Sequence, residues 1–126
     1  MADLIFYDVQ ALNPHVKIIA GSFCPNGSSA VDNDSNTGTG FTVARSGTGS
    51  FTVTLDAIYP GLLSAQCSIA LNAVADSKVQ FGAIDVASGK TVVINVVTTA
   101  SAADIAANAN NRIHFSLFLR NTSLTK

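Results

Sequence analysis

The chain contains no tryptophan, no glutamate, a single methionine and only two tyrosines, Tyr7 and Tyr59. Each scarcity narrows the field. Carbohydrate sites are commonly built on exposed aromatic platforms, so the shortage of Trp and Tyr argues against glycan recognition. All eight acidic residues are Asp, which favours turns and caps where Glu would favour helix interiors. Charged residues make up only 12% of the chain, about half the usual share. The seven Lys and Arg are scattered singly and the net charge is −1. No basic stripe exists to neutralise a phosphate backbone, which speaks against a nucleic-acid partner. No run approaches the roughly 20 apolar residues of a membrane span, and Leu4-Ile5-Phe6-Tyr7 is too short for a secretory h-region. The expectation is a chain that folds in a cytoplasm, without a membrane partner.

What remains is apolar and rich in β-formers. Hydrophobic residues make up 48% of 126 residues, so disorder is not the default. Thr, Val, Ile and Phe are plentiful, and each suits a pleated, half-buried surface. A domain this small leaves about a third of its extended surface exposed, so such an apolar surplus implies contact with a neighbour. Two cysteines in a reducing compartment read as free thiols, although Cys24 and Cys67 could in principle pair.

Residues 1–14 read as an N-terminal arm closed by Pro14, and residues 15–126 as one domain. Strands are expected at 15–23, 41–45, 51–56, 64–72, 79–86, 91–99 and 112–120. In the third of these Phe51, Val53 and Leu55 alternate with Thr52, Thr54 and Asp56, the mark of a sheet with one buried face. Residues 45–49 supply hairpin turn chemistry, residues 26–40 a polar loop, and Ser88-Gly89-Lys90 another turn. The stretch 91–99 is apolar on both faces, as in a central strand or at a subunit boundary. Residues 100–109 form the one segment with helical character, expected as one or two turns or an ordered loop. In the last strand Ile113, Phe115, Leu117 and Leu119 face one way, and His114, Ser116, Phe118 and Arg120 the other. Seven or eight short strands separated by turns imply an all-β, antiparallel β-sandwich or jelly-roll-like domain.

Chemistry-bearing patterns are thin. Asp32, Asp34 and Asn36 alternate like a calcium loop, but Thr37 and Val43 stand where the helix–loop–helix version needs Gly and Glu. An Asx-turn loop is the simpler reading. His15 and His114 lack a nucleophile elbow or zinc-ligand spacing with the two cysteines. The glycine pairs Gly38/Gly40 and Gly47/Gly49 flank strands, whereas a phosphate loop opens a helix. The expectation is no catalysis, no cofactor and no metal.

The run Val16-Lys17-Ile18-Ile19-Ala20-Gly21-Ser22-Phe23, followed by Gly40-Phe41-Thr42-Val43-Ala44-Arg45, Gly49-Ser50-Phe51-Thr52-Val53-Thr54-Leu55 and Arg112-Ile113-His114-Phe115-Ser116-Leu117, resembles structural domains of tailed bacteriophages. In particular it resembles the small β-rich decoration, or cement, proteins of phage heads, over roughly residues 16–121. The resemblance is one of pattern and order and carries no catalytic motif. It implies a homotrimer assembled in the host cytoplasm, bound to the major capsid protein on the outer surface of the virion and bracing the shell. Two candidate contact regions follow: a docking arm, Leu4, Ile5, Phe6 and Tyr7, seated on capsid protein or a neighbouring subunit, and an intersubunit strand bearing His114, Ser116, Phe118 and Arg120. Phe118 could instead belong to a second core layer. Similar sandwiches also cap tail fibres and spikes, so a receptor- or glycan-binding head is the alternative. The absence of a heptad-patterned shaft ahead of the domain favours the head-surface reading.

Overall fold

The computed structural model describes residues 16–121. They form a β-sandwich of nine strands: β1 Val16–Phe23, β2 Thr37–Gly38, β3 Phe41–Gly47, β4 Ser50–Leu55, β5 Gly61–Ala70, β6 Ser77–Asp85, β7 Thr91–Thr98, β8 Ser101–Ala102 and β9 Arg112–Arg120. One sheet runs β2-β1-β9-β5; the other runs β3-β4-β7-β6, with β8 also paired to β7. Every pairing between these strands is antiparallel. Seven strands match the expected ones to within a few residues; β2 and β8, two residues each, have no counterpart among the expected segments.

Alternation dictates which side chains go inward. Ile19, Phe23, Ile113, Phe115, Leu117 and Leu119 come from the first sheet, and Val43, Phe51, Val53, Leu55, Val92, Ile94 and Val96 from the second. Phe51 sits opposite Ile94, and Val53 opposite Val92, so cross-strand pairs put branched and aromatic groups together on one face. Phe23 touches both Phe51 and Phe115 at tilted angles, stitching the two sheets through aromatic contacts. Pairing of β1 with β9 brings the first and last described strands together at the centre of the first sheet.

The segment 100–109 is the ordered loop of the two expected forms. After the short β8, its groups are committed elsewhere. The Asp104 carboxylate accepts both Arg45 Nε (3.0 Å) and Nη2 (2.8 Å) and the Gly49 N–H (3.0 Å). Ile105 is buried in the core and its carbonyl accepts from Gly27 N–H at 2.9 Å. Buried Asn111 closes the loop, donating to Ala106 O and accepting from Asn72 N–H. A helix through these residues would forfeit all of these bonds for intrahelical ones, which explains why alanine content does not prevail. The Arg45 guanidinium and the Gly49 N–H together hold the Asp104 carboxyl below its ordinary pKa.

The polar loop 26–40 is also ordered. It contains a single 3₁₀ turn, Asn33–Ser35, capped by Asp32, whose carboxylate accepts from Asp34 N–H. Asn33 donates to Val43 O (3.0 Å) and accepts from Val43 N–H (2.8 Å), so its side chain pairs with β3 as a backbone amide would. Among the described residues no three His, Cys, Asp or Glu converge to hold a metal ion. Cys24 and Cys67 are free thiols.

Candidate interaction surface

The feature that stands out is the outer face of the β2-β1-β9-β5 sheet. The core-facing row of β9 fixes the opposite row, Arg112, His114, Ser116, Phe118 and Arg120, on this face. Register supplies their neighbours: Ile18 and Ser64 flank Phe118, Ala20 and Gln66 flank Ser116, and Ser22 and Ser68 flank His114. All four residues expected on an intersubunit strand thus share one surface. Phe118 lies outside the core, 37% exposed beside an equally exposed Ile18. A register shift between Leu62 and Ser64 turns Leu63 outward, 56% exposed, so a third apolar side chain joins them at the β5 edge. Strand β9 has β1 on one side and β5 on the other, so its backbone is fully paired and it offers a partner side chains only.

The charges on this sheet are all of one sign. Its strands carry Arg112 and Arg120 on this face, Lys17 on the opposite row beside Leu119, and no acidic residue. Arg112 is held by neutral acceptors: Ser22 Oγ (3.0 Å), Cys24 Sγ (2.9 Å), Ser35 O (3.0 Å) and Thr37 Oγ1 (3.2 Å). It clasps the loop 24–37 against β1 and makes no ion pair with a described carboxylate. Arg120 donates from Nη2 to Pro60 O at 3.2 Å. His114 is exposed and divides two shallow grooves. One, of about 450 Å³, is lined by Ala20, Ser22, Thr37, Gly38 and Arg112; the other, of about 230 Å³, by Gln66, Cys67, Ser68 and Ser116.

Catalytic geometry is not assembled at this histidine. The hydroxyls opposite it, Ser22 and Ser68, are not backed by a carboxylate on any strand of the sheet, and the His114 imidazole makes no hydrogen bond to another described residue. Cys67 faces the core side of β5, where burial pushes its thiol pKa up and makes it a poorer nucleophile. Tyr59 is buried, bonded to Asp56 at 3.2 Å, and its phenol pKa is raised first by burial and then by that carboxylate. It therefore offers no exposed aromatic platform. The docking-arm residues Leu4, Ile5, Phe6 and Tyr7, like His15, lie outside the described residues.

A second apolar region lies where the sandwich is open. Strands β5 and β6 are the edges of their respective sheets and contact each other, and the inward Ala65, Cys67, Ile69, Val79 and Phe81 are only half-buried. The outer face of the other sheet carries Thr42, Thr52, Thr54 and Thr91 in adjacent register together with the half-buried Val93 and Val97 of β7, so that β7 is apolar on both faces as expected. Sequence reasoning missed Ile18 and Leu63. Each neighbours an inward apolar residue, Ile19 and Leu62, so alternation alone does not choose between them. No protein-family model matches the chain, and no characterised protein or solved structure is significantly similar to it.

Proposed function

We propose that this chain is an adhesive structural protein that works by assembly, as a capsid decoration protein binding the outer surface of a phage head. Its partners are then the major capsid protein and further copies of itself, in a closed homotrimer. The observation that carries this reading is the outer face of the first sheet. A rigid, fully paired strand presents Phe118 beside Ile18 and Leu63, rimmed by arginines, without a convergent polar cluster suited to chemistry. Contiguous exposed apolar groups of this kind mark interaction sites, and arginine and aromatic residues are the types enriched in interface centres. Many modest contacts of this sort gain strength through repetition on a lattice.

The test is the copy number of the protein in purified virions relative to the major capsid protein. A ratio near unity places it on the head lattice. A few copies per virion would move it to the tail and favour the receptor-binding alternative, and absence from virions would overturn both.

A further inference from the structure

We propose that Asn26 is a latent deamidation site, closed while the Gly27 N–H is bonded to Ile105 O and opened when the loop after β8 lifts away, independently of how the protein assembles.

Asn26-Gly27 is the one Asn-Gly pair in the sequence. Deamidation begins when the backbone nitrogen of the following residue, losing its proton, attacks the asparagine Cγ. The N–Cγ bond forms, the Cγ–Nδ2 bond breaks, and ammonia leaves with the displaced proton, giving a cyclic imide. Water then opens the imide on either side, to aspartate or to isoaspartate. Glycine is the most permissive following residue, because it has no Cβ to hinder the attack and its backbone reaches unusual geometries freely. The surroundings of Gly27 add no obstacle: its φ is +59°, and a Cβ built there would meet nothing within 4 Å.

The fold ties down both reacting groups. Gly27 N–H donates to Ile105 O at 2.9 Å, which holds the proton of the attacking nitrogen. Asn26 Nδ2 donates to Ala30 O at 3.1 Å, which anchors the leaving amide. The acceptor is itself fixed: Ile105 is buried, and its neighbour Asp104 is bonded to Arg45 and to Gly49 N–H. The lock is thus a contact between two loops far apart in sequence, and local opening of either one frees the pair.

Once reacted, the lock does not close as before. Isoaspartate carries the main chain through its side chain, which inserts a methylene between positions 26 and 27 and shifts Gly27 N from its acceptor. Either product also places a new carboxylate at the wall of the cavity of about 330 Å³ that Asn26 shares with Asp32 and Arg112. A brief opening of the loop becomes a permanent one.

The test incubates the full-length protein at mildly alkaline pH and follows each asparagine by peptide mapping and mass spectrometry. In urea, Asn26 should convert before any other asparagine, and Gly27→Ala should suppress that conversion. Folded wild type should convert at Asn26 at least about tenfold more slowly than in urea, because two hydrogen bonds must open first. Asp104→Ala should raise the folded rate and speed hydrogen exchange at Gly27 N–H; thermal unfolding checks that it is folded, and Asp104→Asn replaces it if it is not. Equal rates in the folded and urea-treated wild type, an unchanged folded rate in the Asp104 variant, or another asparagine converting first in urea would overturn the proposal.

Discussion

Gly49 combines a left-handed backbone with close approach on backbone atoms alone, and its replacement by alanine provides a quantitative test of the fold. Its φ is +62°, and a Cβ there would stand 2.7 Å from Ala103 N, Ala103 O and Val96 O, all backbone atoms. Adopting the left-handed conformation costs an L-residue roughly 1–2 kcal/mol. Relieving the contacts means separating the β3–β4 hairpin tip from β7 and the loop after β8. Two hydrogen bonds cross that junction: Val96 N–H to Gly49 O (2.7 Å) and Gly49 N–H to Asp104 Oδ1 (3.0 Å). At about 1 kcal/mol each, with partial retention and added to the backbone cost, the total loss is about 2–4 kcal/mol.

Two other glycines provide internal controls. Gly27 shares the positive φ (+59°) but would meet nothing within 4 Å, so Gly27→Ala should cost about 1 kcal/mol. Gly47 has neither constraint, so Gly47→Ala should be neutral or stabilise by up to about 0.5 kcal/mol through the unfolded chain. Urea denaturation of the three variants should reproduce this order. Because the obstructing atoms belong to the backbone, Ala103→Gly should not rescue Gly49→Ala. A Gly49→Ala protein within about 1 kcal/mol of Gly27→Ala would refute the close approach.

Four further outcomes follow. Thr99 and Ala100 turn the chain from β7 into β8 with φ of 49° and 68°; Ala100→Gly should therefore stabilise by about 0.5–1 kcal/mol, seen as a raised melting temperature. The depressed pKa of Asp104 means that the ionised carboxylate favours the folded state above the unfolded value of about 3.9 and that this contribution is lost as pH falls through the folded pKa; the melting temperatures of wild type and Asp104→Asn should converge below about pH 4. Leu117, fully buried, and Phe118, on the outer face, are adjacent; Leu117→Ala should cost about 2–5 kcal/mol and Phe118→Ala about 1 kcal/mol or less by chemical denaturation. Asn33→Ala leaves the N–H and C=O of buried Val43 without their partner and should cost about 2 kcal/mol in the same assay.

Local pattern reached further than tertiary placement. The alternation in β4 and β9 was enough to assign their buried rows, because in each one row is wholly apolar and the other mostly polar. In β1, Ile18 and Ile19 are equally apolar, and only the register against Phe118 and Leu117 shows which one is outside. The Leu62–Ser64 irregularity defeats period-two counting at the point where Leu63 turns out. Three tying interactions involve partners far apart in sequence: Arg45 with Asp104, Arg112 with Ser22, and Asn72 with Asn111. None follows from spacing. Asn33 reads locally as a turn residue, yet its side chain completes the pairing of β3. A polar residue of this kind reveals its role only once its strand partner is placed.

The edges of the sandwich bear on how it can assemble. A regular exposed edge invites another strand, and irregularities discourage such pairing. Strand β5 is irregular between Leu62 and Ser64, and β6 between Phe81 and Ile84. On the opposite side, Asn33 occupies the backbone groups of β3 at Val43, and the edge strand β2 is only two residues long. These features oppose growth by edge-to-edge β-pairing, which has no natural stopping point. A flat face with fixed side chains is different, because it accepts one partner of matching shape and charge and is then covered. Of the two outer faces, the one with Thr42, Thr52, Thr54 and Thr91 sets its apolar Val93 and Val97 among polar groups. The face bearing Ile18, Leu63 and Phe118 gains by burial, at about 25 cal/mol for each Å² of apolar surface removed from water. In the proposed assembly, that face is the one whose burial would contribute most.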